Sequence, residues 1–257
     1  MHRLLVKTEL LNEASPTLPR DAAKHLKVLR PKDGEEIELF DGKGKWRVYK
    51  FCASLRSGQD SASPLIATSQ TSQTSQTSQT LTLFACVTKG SRWDWTIEKA
   101  TELGVGRIVP VISDRTIVRI PKAERAAKRE RWLRIAEDAA RQSDAKWLPE
   151  IFEAVDFADA LPLVRETTCF IGALTSPPSQ PLALAVREKV EKRGGGGQPI
   201  SGQGLSVFIG PEGDFTPDEL KALMDIATPT SFGPTILRAE TAAIFAVSVL
   251  ASVRGAD

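Results

Sequence analysis

The chain has 257 residues, 41% of them hydrophobic, with 34 Lys and Arg against 32 Asp and Glu. That length fits one large domain or two smaller ones with a real core, and the net charge of +2 says nothing about partners until it is mapped by region. No run approaches the roughly 18 apolar residues of a membrane span, and three cysteines and two histidines match neither a zinc site nor a disulfide framework, so the expectation is a reduced, cytoplasmic protein with no metal and no membrane segment.

The opening MHRLLVKTELLNEA lacks the long apolar core of a secretory signal. HRLLV, EIELF and KWRVYKFCASL read as short strands, separated by the turn stretches LRPKDGEE and FDGKGKW. One helical piece, PRDAAKHLKVLR, interrupts them. A small β-barrel over residues 1–67 is expected. TSQTSQTSQTSQT, residues 68–80, carries no charge and no apolar side chain; it reads as a linker or a loop tip.

Residues 81–257 alternate strands and helices. TLTLFACV is a strand, and SRWDWTIEKATELG a helix with Ser91 and Asp94 at capping-box spacing. RIVPVIS is a strand, residues 122–142 a long charged helix, WLPEIF strand-like and DFADALPLVRE a short helix. TCFIGAL, LSVFIG and TSFG are strands; PLALAVREKVEKR, TPDELKALMDIA and ILRAETAAIFAVSVLASVR are helices; GGGGQPISGQG is an insertion. Such alternation implies crossover connections and a parallel α/β sheet. Continuous apolar strands fit a sheet covered on both faces.

Two loops carry the chemistry. In FIGPEGDFTPDEL, Gly210, Pro211, Glu212 and Gly213 lie between a strand and a helix whose start is marked by Thr216, Pro217 and Glu219. Glycines let backbone approach a ligand, and proline stiffens the turn. The loop reads either as a rigid cradle for a small polar ligand such as a nucleoside or as an ordinary strand-to-helix turn. In FGPTILRAETAAIF, Gly233 and Pro234 again follow a short strand, and Arg238 and Glu240 flank the start of an apolar helix, where the dipole favours a carboxylate. Two Gly-Pro loops after neighbouring strands would close on one pocket. No P-loop, no dinucleotide-binding glycine motif after a strand and no nucleophile elbow is present.

KGSRWDWTIEKATELGVGRIVPV, FIGPEGDFTPDEL and FGPTILRAETAA, in that order, together with HLKVLRPKDGEEIELFDGKG, resemble the RsmE-type 16S ribosomal RNA uracil-N3 methyltransferases of the SPOUT superfamily. The resemblance spans nearly the whole chain outside the two low-complexity stretches. It implies a PUA-like RNA-binding barrel over 1–67 and a trefoil-knotted SPOUT α/β domain with a parallel sheet over 81–257. It implies S-adenosyl-L-methionine, a homodimer, and methylation of N3 of one uridine of 16S rRNA in the small ribosomal subunit (uridine 1498 in the family). By position, the cofactor loops would be Gly172, Ala173 and Leu174; Gly210, Pro211, Glu212 and Gly213; and Phe232, Gly233, Ile236 and Leu237. Glu240 is the candidate base and Arg238 the cation for the uracil anion or a phosphate.

The chain departs from the family pattern at Arg141-Gln142-Ser143-Asp144-Ala145, at Thr235 and at Asp214. The first two remove family arginines, for which Lys146 or the long basic helix is the expected substitute. Residues 1–80 hold 12 Lys and Arg against 9 acids. Arg3, Lys24, His25 and Arg30 are the candidate RNA contacts there. Trp93, Trp132 and Trp147 either stack a base or pack the interior. Glu102, near Lys99, reads as a structural pair. Two other readings stay open: the same enzyme class on a transfer RNA, and an RNA-binding protein without activity.

Overall fold

The computed structural model describes residues 1–53, 64–74, 81–172, 179–193 and 204–254. They divide into two compact units, Met1–Gln76 with Ala140–Leu148, and Thr77–Ala139 with Pro149–Asp257.

The first unit is a five-stranded sheet. Strands β1 (His2–Leu5) and β2 (Glu36–Phe40) pair in parallel, and β2 pairs antiparallel with β3 (Lys45–Phe51). Both β4 (Leu65–Ala67) and β5 (Ser72–Gln73) pair with β3. Helix α1 (Arg20–Leu29) packs Ala22 and Leu26 on Leu4, Ile37, Leu39, Tyr49 and Phe51. The β5 strand lies inside the Thr-Ser-Gln repeat, so this part of the supposed linker is built into the sheet edge. Thr71 Oγ1 donates to the Leu11 carbonyl at 2.8 Å just before it. A polar, very short strand is what a sheet edge tolerates.

Glu38 is 1% exposed in the middle of β2. A buried carboxylate must be paired. Arg3 Nε donates to it at 2.8 Å, and Lys146 Nζ lies 2.6 Å from both oxygens. The remaining Arg3 donors reach the carbonyls of Ala140 and Ala145 at 2.5 and 2.9 Å, and the guanidinium stacks 4.2 Å from the Phe40 ring centroid. Arg3, a candidate RNA contact in the sequence, is 7% exposed, and each of its three side-chain nitrogens donates inside the unit. Lys146, the expected substitute for a family arginine, pairs with Glu38. Nearby, Gly44 takes φ +91°, and a Cβ there would fall 2.5 Å from the Trp147 ring, so Trp147 packs on the FDGKG turn.

The second unit is a seven-stranded, all-parallel sheet. Its strands are β6 (Leu81–Cys86), β7 (Arg107–Ile112), β8 (Glu150–Ile151), β9 (Val155–Asp156), β10 (Thr168–Gly172), β11 (Leu205–Ile209) and β12 (Thr228–Thr230). The order is β12-β10-β11-β6-β7-β8, with β9 also on β7. The helices are α2 (Ser91–Glu102), α3 (Lys122–Gln142), α4 (Phe157–Arg165), α5 (Leu182–Arg193), α6 (Pro217–Met224) and α7 (Ala239–Arg254).

Side chains alternate across each strand, and β6 shows the result. Leu81, Leu83 and Ala85 join a core with Ile97 of α2, Val186 of α5 and Ala246 of α7. Phe84 and Cys86 join the opposite core with Val164 of α4 and Leu223 of α6. Trp93 and Trp132 are buried in the first of these cores, edge to face at 5.7 Å. The expected strand at WLPEIF reduces to two residues, since Trp147 belongs to the first unit. The expected Ser91–Asp94 capping box does not form. Gly90 is the N-cap, without a side-chain hydrogen bond, and Asp94 is ion-paired to Arg131 of α3.

Candidate active site

Strands β12, β10 and β11 are adjacent and parallel, so their carboxyl ends lie along one edge. Ligands of open α/β sheets collect beyond such ends. The segments leaving these strands enclose a cavity of about 360 Å³. Gly172 ends β10; Gly210, Pro211 and Glu212 follow β11; Phe232, Gly233, Ile236, Leu237 and Arg238 follow β12; all of them line it. The two Gly-Pro turns do not follow neighbouring strands, as the sequence suggested. Strand β10 lies between theirs, and Gly172 lines the cavity with them. Ala173 and Leu174 lie outside the described residues.

Two of the glycines admit aromatic rings of the cavity wall. A Cβ on Gly172 would lie 2.6 Å from the Phe232 ring, and one on Gly210 would lie 3.0 Å from Phe215. Gly233 has φ +125°, a conformation that favours glycine. Asp214, one of the positions where the sequence departs from the resembled pattern, takes φ +59°. Asp tolerates that region because its short side chain bonds locally. Here Oδ1 accepts from the Phe215 amide at 2.7 Å.

Both ends of the β11–α6 loop are pinned. The capping box of α6 is complete: the Glu219 amide donates to Thr216 Oγ1 at 3.3 Å, and the Thr216 amide donates to Glu219 Oε2 at 2.9 Å. Glu219 Oε1 also accepts from the Asp114 amide at 2.9 Å. Arg115 then donates Nη1 to the carbonyls of Gly213 and Phe215 at 3.0 and 3.3 Å. Gly213 does not line the cavity; its carbonyl serves this clamp. The residues after β7 therefore hold the loop from outside.

Charge gathers on one side. Arg92, at the start of α2, lies 3.7 Å from Glu212 through Nη1 and 3.7 Å from Glu240 through Nε. Glu240 is not a lining residue. It sits in the first turn of α7, and its Oε2 is buried with no hydrogen-bond partner among the described residues. Arg238 is exposed, and its carbonyl accepts from the Ala242 amide at 2.8 Å. Glu102 pairs with Lys99 at 2.9 Å.

Sequence reasoning missed Arg92 and Arg115. Arg92 stood inside a quoted motif, yet nothing local tells which carboxylates it meets. Burial raises the thiols of Cys86 and Cys169, to about 11 and about 12, so both are inert core groups. Among the described residues no His/Cys/Asp/Glu group suits a metal, and no helix is long and apolar enough to cross a membrane. Of the basic candidates on α1, Lys24 is exposed, as is Arg30 just after the helix, while His25 is half-buried with partners of its own.

A family model described as an RNA methyltransferase domain matches residues 75–251, and one described as an RNA methyltransferase PUA domain matches 18–51. The chain is 30% identical to ribosomal RNA small subunit methyltransferase E of Synechocystis sp. over 96% of its own length and 76% of the relative's. It is 31% identical to the protein of that name in Bacillus subtilis, over 63% of its own length and 61% of the relative's. The crystal structure of a ribosomal RNA small subunit methyltransferase E from Neisseria gonorrhoeae, bound to S-adenosyl methionine, superposes with a TM-score of 0.75 at 26% identity, covering 98% of each chain.

Proposed function

The chain belongs to the RNA methyltransferase family that includes ribosomal RNA small subunit methyltransferase E, and from that membership we propose the reaction in full: methylation of N3 of one uridine in 16S rRNA, with S-adenosyl-L-methionine as donor. The enzyme is a methyltransferase of small-subunit ribosomal RNA. The observation that carries the finer reading is the cavity beyond β12, β10 and β11, lined by Gly172, the Gly210–Glu212 turn and the Phe232–Arg238 segment.

The residues present fit the donor. A site of about 360 Å³ falls within the range of small-molecule pockets, about 300–1,000 Å³. Gly172 and Gly210 let the Phe232 and Phe215 rings pack directly on the backbone, which fixes the walls of the cavity. The donor supplies an electrophilic methyl group on a sulfonium. The chain supplies alignment and charge. Uracil N3 must lose its proton before its lone pair can bond to carbon. Glu240, whose buried Oε2 has no hydrogen-bond partner among the described residues, is the acceptor proposed for that proton, and the start of α7 favours its charge. Arg238, exposed on the cavity wall, is proposed to meet the negative charge that develops on the base.

Three further parts of the proposal follow from the family resemblance. The segment after β11 is proposed to thread a trefoil knot. The strand order supports this, since the chain passes from β11 beyond β10 to β12, and α7 then returns against β11 and β6. The enzyme is proposed to act as a homodimer, as the resemblance implies. It is proposed to work in the cytoplasm, on small subunits.

The test is methyl transfer to purified small subunits that lack the modification, with mass spectrometry of the released nucleosides. We expect 3-methyluridine from 16S rRNA. Arg238→Ala should lose most of the transfer while remaining folded. Product confined to transfer RNA, or another methylated nucleoside, would overturn the assignment.

A further inference from the structure

Arg92 has no part in the steps above, yet it touches both carboxylates of the site. Its two contacts come from separate elements. Glu212 belongs to the β11–α6 loop that lines the cavity, and Glu240 to the first turn of α7. The Arg92 side chain is 46% exposed and both separations are 3.7 Å. Pairs that loose and that wet contribute little to stability, so what Arg92 provides is position and charge balance. Both contacts use different nitrogens of one planar group, so a shift toward either carboxylate alters the other contact.

We propose that Arg92 is a positioning residue that links Glu212 to Glu240, so that filling the cavity sets the carboxylate that accepts the uridine proton. This rests on the methyltransferase reading above. A ligand that draws on Glu212 releases Arg92 to close on Glu240. Arg92 then holds one side of that carboxylate through Oε1 and fixes its orientation, while Oε2 keeps no hydrogen-bond partner among the described residues. With Arg92 removed, Glu212 and Glu240 lose the one cation that approaches both.

The prediction is read in two assays, calorimetric binding of S-adenosylhomocysteine and methyl transfer to small subunits. Arg92→Gln should bind S-adenosylhomocysteine about 10-fold more weakly and lower kcat by on the order of 100-fold at saturating RNA. Arg92→Lys should recover most of both. The decisive measurement is the cycle Glu212→Gln, Glu240→Gln and their double variant. Linkage through Arg92 predicts that their effects on S-adenosylhomocysteine affinity fail to add by at least about 3-fold. The same cycle carries the test if Arg92→Gln does not fold. Additive losses, or a folded Arg92→Gln with wild-type kcat, overturn the role of Arg92 while leaving the methyltransferase reading intact. A wild-type protein that binds no S-adenosylhomocysteine and transfers no methyl group overturns both.

Discussion

Gly172 shows what one missing methyl group does. Its φ is not in the left-handed region, so the constraint on it is steric: the next carbon would sit 2.6 Å from Phe232. Gly172→Ala must push Phe232, and with it the β12–α7 segment, out of place. Overpacking of this kind costs about 1–3 kcal/mol, which denaturant unfolding would register. Affinity for S-adenosylhomocysteine should fall by about 10-fold, or 1.4 kcal/mol, and Phe232→Leu in the same chain should restore part of it. Unchanged affinity in Gly172→Ala would remove Phe232 from the cavity's working wall. Asp214 teaches the opposite lesson. A residue that looks like a damaged glycine motif in the sequence keeps the glycine's conformation and bonds its own neighbour, so the departure is harmless to the turn.

At the scale of elements, the β11–α6 loop depends on a segment nearly a hundred residues earlier. Arg115 holds two of its carbonyls and the Asp114 amide holds Glu219. Arg115→Ala should therefore raise the KM for S-adenosyl-L-methionine by about 10-fold, a loss of roughly one or two hydrogen bonds, with a much smaller effect on the KM for RNA. Equal effects on both would show that the clamp serves the whole unit and not the loop.

This dependence also explains what the sequence could and could not say. The α6 start was legible because Thr216, Pro217 and Glu219 act within one turn, and local chemistry is written in adjacent letters. The β6 and β11 strands were legible because burial on both faces leaves an unbroken apolar run. The Ser91–Asp94 box failed because Asp94 found Arg131 on another helix, a competition between distant residues that spacing does not record. The burial of Arg3 was hidden for the same reason. A basic residue near other basic residues looks like an RNA contact until its partner, the inward-facing Glu38 of β2, is located. The cavity itself was legible mainly through family likeness, since no local rule sets β10 between β11 and β12.

Over the whole molecule, electrostatics make the RNA reading testable. Lys24 and Arg30 are exposed at α1, while Arg3 is withdrawn. RNA affinity should fall as salt rises, because bound lysine and arginine release counterions. Lys24→Ala and Arg30→Ala should each weaken binding across sequences and reduce the slope of log K against log salt by about 1. Arg3→Ala should lower the stability of the first unit and leave that slope unchanged. A slope insensitive to Lys24 and Arg30 would move the RNA surface elsewhere.

Because the first unit takes its final stretch from Ala140–Leu148, no single cut in the gene yields it whole. A fragment stopped at residue 76 would lose Lys146 from Glu38 and Trp147 from the Gly44 turn. Stripping one partner from a buried charge costs about 3–5 kcal/mol, a large share of what a small domain has. Truncation, circular permutation and module exchange between homologues therefore have to carry residues 140–148 along with the amino-terminal piece, or expect an insoluble product.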